Sequence, residues 1–186
     1  MLRLAAIAIV LLWGQEDARS RVKQTAHARA SLAGTIASDP GVREAVMASD
    51  AASETAEQVR RRDTAWMANP GDPLRQAIVQ APCSARLREL LKDDPMVVEA
   101  FVMNDRGTLV CSATETSDYW QGDEPKWQRT FLEGRDPFVD EPALDASSGK
   151  YAIQLSVPVV SGAKRIGALT LTLKLNRQEA GTPAKQ

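Results

Sequence analysis

The sequence contains little histidine and cysteine and has no excess of positive charge. The shortage of histidine argues against some catalytic and metal sites, and the balanced charge argues against nucleic-acid binding. Its 186 residues include one histidine, His27, and two cysteines, so a Ser, His and Asp triad or a histidine-rich metal site has little to draw on. A position on a solvated helix face explains His27 better than a catalytic or metal-binding role. The 23 lysines and arginines are balanced by 24 acids and spread along the chain, which leaves no basic face for nucleic acid.

Motifs for catalysis are also missing. The sequence has no glycine-rich loop that would cradle a phosphate. The acidic residues Asp118, Asp123 and Glu124 lack the alternating ligand spacing of a calcium loop, and helix capping accounts for the last two. No pair of carboxylates lies in an apolar setting that would shift a pKa. We therefore predict that the chain is not an enzyme and uses no metal or cofactor. An exported hydrolase or lyase on another sheet fold is a third hypothesis.

The N-terminus has the layout of a signal peptide. Arg3 precedes an apolar run from Leu4 to Trp13, which is about half of the ~20 residues needed to span a bilayer. We assign residues 1–15 to a signal peptide or a short uncleaved membrane anchor. The expected location is periplasmic, secreted or anchored to the outer face of the inner membrane. An amphipathic helix start in a cytoplasmic protein is the alternative.

The two cysteines fit that location. In an oxidising compartment Cys83 and Cys111 form a candidate disulfide, and two buried thiols are the alternative.

Residues 16–93 have the spacing of helices. Small apolar residues recur every three or four positions along the first helix, which suits a slender helix that packs against a partner surface and offers a possible homodimer contact. They are Val22, Ala26, Ala30, Ala33 and Ala37. Proline and glycine at 39–41 and 69–73 end successive helices.

Residues 94–176 change to the period of two that is typical of strands. A hairpin is predicted over 96–112, a short helix over 123–133 and a short strand at 138–139. Two alternating strands follow, at 151–157 and 169–175, and residues 177–186 are expected to be a flexible tail. We predict an α+β fold in which helices cover one face of an antiparallel five-stranded sheet.

Four short motifs follow one another between residues 98 and 175: AFVMNDRG at 100–107, TSDYWQGDE at 116–124, SGKYAIQLSVPV at 148–159 and RIGAL at 165–169. In order and spacing this segment, a little under half of the chain, resembles the PAS-like Cache (PDC) sensor domains found outside bacterial membranes in histidine kinases and chemoreceptors. The resemblance implies a long N-terminal helix ahead of the sheet. Family members typically continue into a second membrane helix and a signalling module. This sequence ends soon after the last strand, so we expect the signal to pass through a partner protein, through the geometry of a dimer or through the N-terminal anchor.

The resemblance also implies a ligand between the sheet and residues 112–139. Aromatic side chains there would form apolar walls, and Lys126 or Arg129 would suit an anionic ligand, whereas Asp118 or Asp140 would suit an amine. The candidate ligand-binding residues are Tyr119, Trp120, Lys126, Trp127, Arg129, Asp140, Tyr151 and Gln154.

Three of these candidates have a structural alternative. Trp127 is better explained, together with Phe131, as the packed face of the short helix. Trp120 fits a pocket and a core equally well. Tyr151 begins a core-facing series of residues.

The leading hypothesis is an extracytoplasmic sensor module that binds a small polar metabolite, namely an organic acid, an amino acid or an amine, and presents the bound state to a signalling protein. The alternative is a ligand-free scaffold or dimerisation domain of the same fold.

Overall fold

Six helices precede the sheet in the computed structural model, which describes residues 20–144 and 151–175. The first helix, α1, covers residues 20–27 of that range and is separated from the second by a turn at residues 28–29. The others are α2 (Ala30–Ala37), α3 (Pro40–Ala51), α4 (Ala56–Ala68), α5 (Pro73–Gln80) and α6 (Pro82–Leu91). The segments predicted for a signal peptide or anchor at 1–15 and for a tail at 177–186 lie outside the described residues.

Side-chain caps mark the starts of α3 and α4. The side chain of Asp39 accepts hydrogen bonds from the backbone N–H groups of Gly41 and Val42 at the start of α3. Thr55 and Gln58 form a reciprocal capping box at the start of α4. Such caps satisfy the free N–H groups of a first helical turn, and they fix where these two helices begin.

The sheet is antiparallel, and its strands are β1 (Val97–Met103), β2 (Leu109–Ser112), β3 (Phe138–Val139), β4 (Ala143–Leu144), β5 (Tyr151–Ser161) and β6 (Lys164–Lys174). Their order is β2-β1-β6-β5-β3, and β4 also pairs with β5. The predicted α+β fold is therefore confirmed. One strand more is present than predicted, because two short strands share the edge beside β5.

The short helix predicted over 123–133 takes two forms. Residues Pro125–Trp127 form α7, and Gln128–Leu132 continue as a π-helical turn.

One face of the sheet packs on the N-terminal helices. Leucine and valine side chains of β5 and β6 that point to this face are buried against α2 and α3, and α6 packs on β1 and β2. Side chains of α1 belong to the same core. Val22, Ala26, Ala33 and Ala37 are all buried in this core. The small-residue stripe that the sequence offers for a dimer contact thus packs within the chain.

The opposite face carries a second, aromatic core. Phe101 and Met103 of β1 pack there with Trp66 of α4, Tyr119 and Trp127. Its position shows that the segment after β2 folds back over the sheet.

A disulfide joins α6 to β2. The sulfur atoms of Cys83 and Cys111 are 2.07 Å apart and the Cα atoms 5.6 Å apart.

Among the residues in 20–144 and 151–175, none of the helices is long and apolar enough to cross a membrane.

A candidate ligand pocket on the polar face of the sheet

Strand alternation gives the second face of the sheet a polar end. Gln154 of β5 lies opposite Thr172 of β6, and its side-chain amide donates to the threonine hydroxyl at 3.5 Å. That hydroxyl donates in turn to the carboxylate of Glu99 on β1 at 3.0 Å. A connected row of polar side chains therefore crosses three adjacent strands.

A pocket of about 330 Å³ lies over this row, at the lower end of the size range of small-molecule sites. Its floor is the sheet, one wall is the loop after β2, and the rest comes from the start of α7 and the β3–β4 edge. The lining residues are Glu99, Phe101, Thr116, Ser117, Gln121, Glu124, Lys126, Asp140, Glu141, Ala143, Leu144, Ala152, Gln154 and Thr172.

Lys126 is the one cationic side chain among the described residues that line the pocket. Its side chain lies over the ring of Phe101, with Nζ 5.6 Å from the ring centroid. The residue is only 9% exposed, and within 20–144 and 151–175 its ammonium makes no hydrogen bond or ion pair. Nζ is not one of the buried side-chain atoms that lack a hydrogen-bond partner. The stem of the lysine is therefore buried, whereas its ammonium remains accessible.

Gln121 forms part of the wall. It is 2% exposed, and its amide nitrogen donates to both the backbone and the side chain of Asp118. These two bonds fix the orientation of the amide, and they leave Oε1 buried with no hydrogen-bond partner among the described residues. Gln121 and Lys126 thus both line the pocket, and each has a polar group without a partner among the described residues.

The wall loop is fastened to helix α4. One carboxylate oxygen of Asp63 accepts the backbone N–H groups of Tyr119 and Trp120, each at 2.9 Å. The Tyr119 hydroxyl donates to Glu54 at 2.8 Å, and Trp66 Nε1 donates to the carbonyl of Thr116 at 3.1 Å. These contacts, together called the α4 clamp below, link the pocket wall to a helix outside the sheet.

Three of the candidates from the sequence, Lys126, Asp140 and Gln154, come together in this pocket. Trp127 and Tyr119 lie beside it in the aromatic core, 7% and 4% exposed. The Trp127 indole stacks on Phe131, with ring centroids 5.1 Å apart, and donates to a backbone carbonyl of the β1–β2 turn.

The other three candidates lie away from the pocket. Trp120 is half-buried and lines a separate cleft against α4 with Val59 and Arg60. Arg129 is exposed and pairs with Glu133 on its own turn. Tyr151 packs against the helix-facing core, as its strand register requires.

Several lining residues were missed by the sequence analysis, among them Glu99, Gln121, Glu124 and Thr172. Thr172 had a usable signal, because its alternation with the leucines of β6 places it on the same face as Gln154. Gln121 and Glu124 had none, since the loop that carries them follows no period.

No trio of metal-binding side chains is grouped within the part of the chain that the structure describes.

Comparison with known proteins rests on structure alone, because no family model and no curated protein matches the chain. The sensor domain of the V. cholerae histidine kinase DctB superimposes with a TM-score of 0.54 at 13% identity, over 96% of this chain and 60% of that one. The ligand-binding domain of the Pseudomonas aeruginosa chemoreceptor PctB, solved with L-Arg, gives a TM-score of 0.49 at 13% identity, over 89% and 52%. This chain thus spans between half and two thirds of the length of these domains. The chain has the PAS-like fold of the Cache-type sensor domains.

Proposed function

We propose that the chain is an extracytoplasmic sensor module that binds a small polar ligand in the pocket over β1, β5 and β6 and passes the bound state to a partner protein. The observation that carries the proposal is Lys126 at the wall of a 330 Å³ pocket. The residue is only 9% exposed, and its ammonium has no hydrogen-bond or ion-pair partner among the described residues. An anionic group of the ligand, above all a carboxylate, would supply the missing partner. Charge-assisted hydrogen bonds of this kind are among the strongest that proteins make.

The signal would leave through the α4 clamp. Thr116, Ser117 and Gln121 line the pocket, and the backbone on either side of Tyr119 is bonded to α4. A ligand that draws this wall toward the sheet would favour one position of α4 over another. The mechanism is a population shift, which requires only that the ligand bind the two arrangements with different affinity.

An extracytoplasmic location is part of the same proposal. It is supported by the apolar run from Leu4 to Trp13 in the sequence and by the disulfide between Cys83 and Cys111, a bond that persists mainly in oxidising compartments.

A ligand-free scaffold is the competing function. Its supporting observation is that Trp127 and Tyr119, two of the aromatic candidates, are packed into the core. It does not account for the open pocket beside them or for the unpartnered Lys126.

Thermal unfolding of the full chain against a panel of organic acids, amino acids and amines tests the proposal, because a ligand that binds only the folded state raises Tm by mass action. We expect a concentration-dependent rise with one chemical class. Lys126→Met should abolish it, whereas Lys164→Met, a matched change at an exposed lysine of β6, should leave it unchanged. An absence of any shift across the panel, or a shift that persists in Lys126→Met, would favour the scaffold.

A further inference from the structure

The charges around the pocket are unequal. Four of its lining side chains are carboxylates, at Glu99, Glu124, Asp140 and Glu141, against the single ammonium of Lys126. The carboxylate of Glu141 pairs with Lys23 of α1, and that of Glu99 accepts from the Thr172 hydroxyl. The two that remain are Glu124 and Asp140.

Neither remaining carboxylate has a cationic partner among the residues described. Asp140 accepts one hydrogen bond, from the neighbouring backbone N–H of Glu141 at 2.7 Å, and the side chain of Glu124 accepts none. Both residues are partly buried, so water screens them less than it would on an open surface. The pocket therefore presents two anionic groups and one cationic group without ion-pair partners.

A ligand matches this arrangement when its own charges are the reverse. We infer that the pocket selects a compact diamino acid, a molecule with one carboxylate and two ammonium groups, over neutral amino acids and over diacids. The carboxylate would pair with Lys126, and the two ammonium groups with Asp140 and Glu124. This inference rests on the proposed function, because it concerns the ligand class of the same pocket.

Gln121 fits the same class of ligand. Its Oε1 atom is a buried acceptor with no donor among the described residues, and an ammonium group carries three N–H donors. A diacid would add negative charge near Glu124 and Asp140. Like charges at short range oppose binding, and they thereby reject the wrong ligand.

Isothermal titration of the full chain with three matched probes tests the inference. L-lysine carries all three charges, L-norleucine lacks the side-chain ammonium, and L-2-aminoadipate carries a carboxylate in its place. We expect L-lysine to bind at least about tenfold more tightly than L-norleucine, the usual loss when one charge-assisted hydrogen bond is removed. L-2-aminoadipate should bind more weakly still.

Substitutions in the pocket test which side chain pairs with each charged group of the ligand. Asp140→Asn and Glu124→Gln should each weaken L-lysine binding, and at least one of them should bring its affinity to within about threefold of that of L-norleucine. Lys126→Met should weaken both ligands alike. Asp123→Asn, which removes an exposed carboxylate next to Glu124 but outside the pocket lining, is the control and should change neither.

The outcomes separate this inference from the proposed function. Equal or tighter binding of L-norleucine or L-2-aminoadipate would overturn the diamino class and would leave the sensor proposal in place. Binding of none of the three would also overturn the class, and the broad thermal panel then decides whether the pocket binds any small molecule. A preference for L-lysine that survives both carboxylate variants would show that the selecting charges lie elsewhere.

Discussion

Replacing Asp63 should loosen the pocket wall. This carboxylate oxygen accepts two backbone N–H groups, those of Tyr119 and Trp120, at 2.9 Å each. Its removal in Asp63→Ala leaves both donors without an acceptor inside the fold. Each hydrogen bond to a charged acceptor contributes roughly 1.5 kcal/mol or more, so we expect the free energy of unfolding to fall by about 3 kcal/mol.

Urea denaturation followed by tryptophan fluorescence measures that loss, since Trp66 and Trp120 lie on either side of the clamp. Asp63→Asn retains an oxygen that can accept both N–H groups, and it should cost clearly less than Asp63→Ala. Asp93→Ala, at an exposed aspartate before β1, is the control for loss of a carboxylate. If Asp63→Ala were within about 0.5 kcal/mol of wild type, the wall would be held by something other than the clamp, and our route from the pocket to α4 would be wrong.

Three further predictions concern other parts of the fold. Reduction of the Cys83–Cys111 disulfide, which closes a loop with a sequence separation of 28, should lower the free energy of unfolding by roughly 3.5 kcal/mol; the reductant should have no effect on a variant with both cysteines changed to alanine. Burial raises the pKa of Asp50 to about 6, and the neighbouring charge of Asp105 contributes. Because the folded state holds this proton more tightly than the unfolded state, the free energy of unfolding should fall as pH rises from about 4 to 6. The fall should be on the order of 1 kcal/mol after allowance for solvent screening. Urea titrations at pH 4 and pH 7 measure it, and Asp50→Asn should remove it. Gly167→Ala should lower Tm sharply, since its Cβ would lie 2.1 Å from a backbone oxygen of β1, whereas Gly34→Ala, where the added methyl meets nothing within 4 Å, should not.

Strand alternation allowed much of the sheet to be predicted from the sequence. Leu169, Leu171 and Leu173 alternate with Thr170 and Thr172, and the structure buries the leucines against the helices. A shift of one residue would exchange the two faces, so the pattern fixes the register strongly. The same pattern placed Gln154 on the pocket face.

The pocket wall could not be predicted in the same way. Residues between β2 and β3 have no period, and their positions depend on contacts from far along the chain. Asp63 bonds the backbone of Tyr119 across a separation of 56 residues, which no local signal reveals. The aromatic residues of this segment suggested ligand contacts on chemical grounds. Trp127 instead stacks on Phe131 in the core, which is the packing role that the sequence favoured for it.

Hydrogen-bond partners distinguish the structural polar groups of this sheet from those that could meet a ligand. Ser156 and Thr170 are fully buried and bonded to each other at 2.8 Å, so their burial costs little and needs no ligand. In the pocket, by contrast, the ammonium of Lys126 and Oε1 of Gln121 have no partner among the described residues. A buried acceptor such as Oε1 of Gln121 lowers stability unless something else satisfies it. Lys126 has a buried stem and lines the pocket with an ammonium that has no partner among the described residues. This lysine is therefore the observation that best supports our proposal of a ligand in the pocket.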